Sequence, residues 1–221
     1  MNPLDYLHLQ LRLEGKEVVK DNLLRQVEVV PDEEVPLLLI AQLVDEQLVV
    51  YFDEALQIEL REELISRIPS PKFPNIDPLF AILEQRHIQY EVGHYKTYIF
   101  PEQFAFFKDE AVTCYSRYAP KVKDFGFDGF AESVYGVEED GRIISACVSA
   151  RENDFCGEAW VYTDSEYRQQ GFAQKVVSAW AGSLISDGNI PFYSHKMENI
   201  ASARLASKLG LQPVFEEIAV I

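Results

Sequence analysis

The apolar positions of this chain switch repeatedly between two spacings, and each switch marks an element. The run Val35-Pro-Leu-Leu-Leu-Ile-Ala-Gln-Leu43 and the block Leu48-Val-Val-Tyr-Phe52 bracket Val44-Asp-Glu-Gln47 and predict a hairpin. Leu56, Leu60, Leu64 and Ile68 then recur at helical spacing. They predict a helix over about 54–68, begun by an Asp53 cap and laid with one apolar face on a sheet. Residues 69–75, Pro-Ser-Pro-Lys-Phe-Pro-Asn, break the pattern, and a second helix is expected near 78–86 from a cap at Asn75 or Asp77.

Residues 90–118 are dense in aromatics, which read mainly as packing. From Ala131 the pattern becomes a three-strand meander: Ala131–Val137, a turn at 138–142, Ile143–Ser149, a loop at 151–157, and Glu158–Thr163. Val176, Val177, Trp180, Ala181 and Leu184 then define a helix over 172–185 that Asp187-Gly188 ends. Ile190–Ser194 is a short apolar strand, and Asn199 opens a last helix that Gly210 closes. Segments 69–77 and 119–128 are the linker candidates. The expected organisation is an N-terminal α/β subdomain over 1–120, for acceptor binding or docking, and a second domain over 121–221.

The chemistry concentrates between the third meander strand and the helix that follows. Arg168-Gln-Gln-Gly-Phe-Ala173 forms a loop that delivers successive backbone N–H groups to one helix N-terminus, a natural anion site. Glycine at 171 lets the backbone approach a phosphate, Ala173 keeps the first turn slim, and Arg168 can add a charge-assisted bond. No Gly-Lys-Ser/Thr follows, and the three glycines of a dinucleotide fingerprint are absent, which disfavours a nucleoside triphosphate or NAD.

Arg168-Gln-Gln-Gly-Phe-Ala173, together with Asn199-x-x-Ser202 and Leu209-Gly210-Leu211, resembles the GNAT superfamily of N-acetyltransferases over roughly the last 90 residues. The resemblance implies an α/β (α+β) fold, with a mixed, mostly antiparallel twisted sheet flanked by helices. It implies acetyl-CoA as cosubstrate, with Val161, Tyr162 and Thr163 beside the pantetheine arm. Arg168, Gln169, Gln170, Gly171, Phe172 and Ala173 would lie around the pyrophosphate, and Asn199 and Ser202 would support the cofactor. It also implies direct attack by an amine, with no protein nucleophile. The tyrosine that many relatives carry seven residues after the asparagine is Ala206 here, so the usual acid is missing. Tyr193 and Ser194 are the candidates to replace it, with His195 close by but read as a loop residue. Glu158 is the carboxylate nearest the expected carbonyl and the candidate base. His87 and His94 have no motif around them.

Charge narrows the acceptor. The chain carries 36 acidic and 20 basic side chains, a formal charge of −16, which argues against nucleic acid or an anionic membrane as partner. Residues 1–150 hold 27 acidic against 14 basic side chains, and residues 151–221 hold 9 against 6. A cationic small-molecule amine suits the acidic part, and a solubilising surface explains the same charge. A protein amine as acceptor, and a catalytically silent acyl-CoA-binding module, are the other readings. Cys114, Cys147 and Cys156 contain no Cys-x-x-Cys pair and suggest neither zinc nor a disulfide framework; Cys147 reads as core and Cys156 as an exposed loop residue. No metal site is expected. No apolar run suits a signal peptide or a membrane span, so the expectation is a cytoplasmic protein. A free edge strand leaves homodimerisation open.

Overall fold

The computed structural model describes residues 1–31, 33–68, 75–101, 104 and 109–221. Its elements run α1 (Pro3–Leu13), β1 (Lys16–Val19), β2 (Leu23–Gln26), β3 (Leu38–Leu43), β4 (Leu48–Asp53), α2 (Ile58–Ile65), α3 (Asp77–Gln85) and β5 (Val92–Ile99). They continue with β6 (Val112–Ser116), α4 (Pro120–Phe125), β7 (Ser133–Glu139), β8 (Arg142–Glu152), β9 (Cys156–Thr163), α5 (Phe172–Ser186), β10 (Ile190–Lys196), α6 (Ile200–Leu209) and β11 (Gln212–Val220). Two compact units result, one of residues 1–97 with 213–221 and one of residues 98–212.

In the first unit the strands lie in the order β1-β2-β4-β3-β11-β5. The expected hairpin is β3 with β4, antiparallel from Leu38↔Phe52 to Gln42↔Leu48. β11 returns to pair antiparallel with β3, from Phe215↔Leu43 to Val220↔Leu38. Leu60 and Leu64 of α2 and Leu79, Ile82 and Leu83 of α3 bury against Leu38, Ile40, Phe52, Ile218 and Val220. The first of these helices is shorter than its apolar spacing predicts. Asp53 Oδ1 accepts from the Ala55 N–H at 2.8 Å in a local turn, and the helix starts after Gln57, which makes no side-chain cap. Leu56 and Ile68 still pack on the core from outside the helix. The breaker-rich connector at 69–74 lies outside the described residues.

The second unit orders its strands β10-β9-β8-β7-β6. β6, β7, β8 and β9 pair antiparallel, and β9 pairs parallel with β10, which makes the sheet mixed. On one face α5 supplies Val176, Val177, Trp180, Ala181 and Leu184, as their spacing predicts, and α6 supplies Ala206 and Leu209. On the other face the segment anticipated as a linker holds α4, and its Val122 and Phe127 are buried with Val134, Ala146 and Val148. Residues 112–116 therefore join the meander: β6 pairs with β7 from Val112↔Val137 to Ser116↔Ser133. The compact units divide at 97/98 and 212/213 rather than at 120/121.

Cys147 is core, as its run of neighbours implies. Cys156 is fully buried as the first residue of β9, not an exposed loop residue, and burial pushes its thiol up to about 11. Only Cys114 of the three is exposed.

Candidate functional site

Two neighbouring strands that stop pairing create the site. β9 and β10 are in register only over Cys156↔Ile190, Gly157↔Pro191 and Glu158↔Phe192. Beyond that rung, Ala159–Thr163 and Tyr193–Lys196 continue as strands without pairing to each other. The Asp164 N–H bonds to the Ile144 carbonyl at 2.9 Å. Antiparallel alternation then turns the backbone of Tyr162 and Trp160 toward β8 and that of Ala159, Val161 and Thr163 toward the opening. Free strand edge on an opening between strands is what an extended ligand needs to add itself as a partial strand.

The loop from β9 to α5 is held open by its own bonds. Arg168 Nε donates to the Thr163 carbonyl at 3.0 Å, and its guanidinium lies 5.7 Å from the centre of the Tyr162 ring. Asp164 accepts from Arg142 at 2.7 Å, and Gln170 Nε2 donates to the Glu166 carbonyl at 3.3 Å. Arg168 thus fastens the loop to the strand end, a role its sequence position does not announce. Gln169 has φ 64° and Gly171 φ 89°, so the chain takes two left-handed steps before the helix. A Cβ built on Gly171 meets nothing within 4 Å. Glycine is required there by its backbone angle, and the space above it is open to a ligand.

Gly171 is the N-cap of α5, and no side chain caps that end. The helix's first backbone bond runs from Lys175 N–H to the Gly171 carbonyl. The preceding N–H groups carry the positive end of a 15-residue helix dipole toward solvent. Phe172 sets its ring edge-on to Tyr167, and Ala173 is half-buried behind it.

The second helix start differs. Asn199 Oδ1 accepts from the Ser202 N–H at 3.0 Å, and the far end closes through Gly210 at φ 66°. Asn199 is therefore an N-cap, and its amide nitrogen is the part left to meet a ligand. Tyr193 is 2% exposed, and burial pushes its hydroxyl up to about 12, a rise that Ser202 offsets only in part. Tyr193 shares its core cluster with Ala206. Ser194, next on β10, alternates to the other face and is half-buried.

Glu158 stands on the last paired rung, 6% exposed, with its carboxylate 2.9 Å from Arg151. It faces away from α5, since its neighbour Gly157 abuts Leu184. His195 is the residue that sequence reasoning misplaced. β10 runs on to Lys196, so the imidazole belongs to the strand and is buried at 6% exposure. The alternation Phe192, Ser194 against Tyr193, His195 was the signal that the strand continued. Among the described residues no group of three or more His, Cys, Asp and Glu side chains is placed to hold a metal, and no helix is long and apolar enough to cross a membrane.

The uncapped helix start, the left-handed glycine and the open strand edge fit a phosphate-bearing ligand with an extended arm. Comparison with known proteins agrees with that arrangement. Residues 79–218 match the model of the GNAT acetyltransferase family. An uncharacterised N-acetyltransferase of Bacillus subtilis, YdfB, is 29% identical over 102 residues, 46% of this chain. The match spans only 38% of that relative's length. Among solved structures, a protein assigned to the GNAT acetyltransferases from Novosphingobium aromaticivorans aligns at TM-score 0.51 and 19% identity, over 59% of this chain and 64% of that one. A GNAT-family acetyltransferase from Colwellia psychrerythraea aligns at TM-score 0.50 and 14% identity, over 80% and 78%. At such identities the two structures speak for the fold alone.

Proposed function

The chain belongs to the GNAT acetyltransferase family, and from that premise we propose that it transfers the acetyl group of acetyl-CoA directly to a primary amine. The observation that carries the proposal is the uncapped N-terminus of α5 beside the splay of β9 from β10. In this reading the N–H groups of Gly171, Phe172 and Ala173 hold the pyrophosphate, with the Arg168 guanidinium, Gln169 and Gln170 at its rim. The turned-out backbone of β9 lies along the pantetheine arm, and the Val161 N–H points at the acetyl oxygen. Thr163 and Tyr162 hold the loop through Arg168, and Asn199 and Ser202 stand on the opposite lip.

Acetyl-CoA supplies a thioester whose carbon the amine attacks. The N–C bond forms, the C–S bond breaks, the amine loses a proton and the sulfur gains one. Tyr193 suits the second proton transfer, because burial keeps its hydroxyl protonated far above neutrality. Ser194 lines the same strand. Glu158 can serve as base only by leaving Arg151. The acidic excess of residues 1–150 favours a cationic small molecule over a protein amine as acceptor, and the reading takes the enzyme to be cytoplasmic.

Calorimetric titration with acetyl-CoA, followed by release of CoA thiol against a panel of cationic amines, tests this. Saturable binding with amine-dependent release is expected. Absence of binding would remove the cofactor assignment, and binding without release from any amine would turn the reading toward a silent acyl-CoA-binding module.

A further inference from the structure

The proton that the amine must lose has a better-placed acceptor than Glu158. His195 Nδ1 lies 2.9 Å from the carbonyl oxygen of Lys196. A carbonyl only accepts, so Nδ1 carries the hydrogen and Nε2 of the neutral ring presents its lone pair. That lone pair faces the Tyr98 hydroxyl at 3.4 Å, and the two rings stack at 5.5 Å and 25°. Tyr193 meets the imidazole edge-on at 6.5 Å. Among the described residues, the ring stacks on Tyr98 of β5 and meets Tyr193 of β10, with the backbone of Lys196 behind. His195 is 6% exposed, whereas Tyr98 is half-buried and reaches further toward solvent.

Position along the strands sets the level of this pair. The register of β9 with β10 ends at Glu158↔Phe192. Counted onward along both strands, His195 stands level with Val161, whose N–H the proposed reaction uses.

We propose that Tyr98 and His195 form the proton relay of the acetyl transfer, with Tyr98 as the group that touches the amine and His195 acting through it. As the ammonium gives a proton to the Tyr98 oxygen, the Tyr98 hydroxyl proton passes to Nε2. The products are a neutral amine, a neutral tyrosine and an imidazolium whose Nδ1–H stays on the Lys196 carbonyl. Charge and protons balance without another reactant. The 3.4 Å separation is long for a hydrogen bond, as catalytic bonds commonly are before ligands tighten them.

The inference rests on the transferase reading, and its test separates the two. Nitrogen-15 NMR of the full chain labelled at histidine, with His195→Gln for assignment, reads the tautomer directly. The Nδ1–H form is expected at neutral pH, with an Nε2 resonance that moves in Tyr98→Phe. An Nε2–H tautomer, or an Nε2 indifferent to Tyr98→Phe, overturns the relay whatever the acceptor. In kinetics with spermidine and tyramine as probes, Tyr98→Phe and His195→Gln each lower kcat about 100-fold. Acetyl-CoA affinity is unchanged, and the double variant is no slower than the worse single. Wild-type rates in Tyr98→Phe overturn the relay alone. Failure of the unaltered protein to bind acetyl-CoA overturns the transferase reading and the relay with it.

Discussion

α5 and α6 begin in opposite ways, one without a side-chain cap and one with it. The start of α6 is finished by the chain itself, because Asn199 accepts the Ser202 N–H. The start of α5 has no side-chain cap and is reached through left-handed Gln169 and Gly171. An N-cap is worth about 1 kcal/mol to a helix. The α5 end leaves its N–H groups without a side-chain cap, and Arg168 ties the preceding loop to the Thr163 carbonyl. Both ends carry residues that resemble cofactor contacts, and their geometries differ.

The largest effect expected from breaking this contrast comes at Gly171. Gly171→Val puts a branched side chain on a φ of 89° and into the space where phosphate would lie. Acetyl-CoA affinity by calorimetry should fall at least about 100-fold; affinity within threefold of the wild type would sink the cradle.

The next effect lies in the α6 end and appears in alkali. Burial raises Tyr193 from its ordinary 10.0 to about 12, so the folded state prefers the neutral phenol. A raised folded value contributes stability that is fully present below pH 10 and is lost as pH rises toward 12. A rise of that size corresponds to roughly 3 kcal/mol. Urea unfolding of Tyr193→Phe against wild type should therefore show a smaller loss between those pH values. Parallel curves would mean the phenol is not what titrates.

Asn199→Ala should cost about 1 kcal/mol of stability by denaturant unfolding. Asn199→Asp keeps the cap acceptor but removes the amide donor. If the amide also meets the cofactor, Asn199→Asp weakens acetyl-CoA binding while stability holds. Equal binding confines Asn199 to capping.

The smallest effect belongs to the α5 end in acid. Asp109 sits 2.8 Å from Lys175 of α5, and that bond, aided by the Ala111 N–H, holds its carboxyl below the ordinary 3.8. A depressed value contributes stability above that pH and loses it as pH falls. At this partly exposed position the pair is worth about 0.2–1 kcal/mol. Asp109→Asn should narrow the acid loss by no more than that in thermal unfolding at pH values either side of 3.8.

Local signals made much of this legible in the sequence. The 3.6-residue spacing of Val176 to Leu184 fixed α5 to within a residue at its end, and Arg168 to Ala173 marked the loop through glycine's backbone freedom. Asn199 and Gly210 were readable as caps because each acts on neighbours within a turn. What escaped is non-local. Nothing near residues 98–120 says that β6 joins the meander, and nothing in Gln212–Val220 says that it pairs with β3. Asp53 looked like a helix cap because an Asx turn and an N-cap use the same oxygen, and only the downstream dihedrals distinguish them. The Tyr98–His195 pair joins residues 97 positions apart, so each looked ordinary alone.

The place of β11 has a consequence for biosynthesis. It lies between β3 and β5 in the strand order, yet its residues leave the ribosome after everything else described. Residues 1–97 therefore emerge as a sheet lacking a middle strand, with the apolar rows of β3 open to any passing strand. The second unit has all of its elements first. The part of the protein synthesised earliest is the part completed last, and throughout translation the nascent N-terminal half is where a chaperone would be needed.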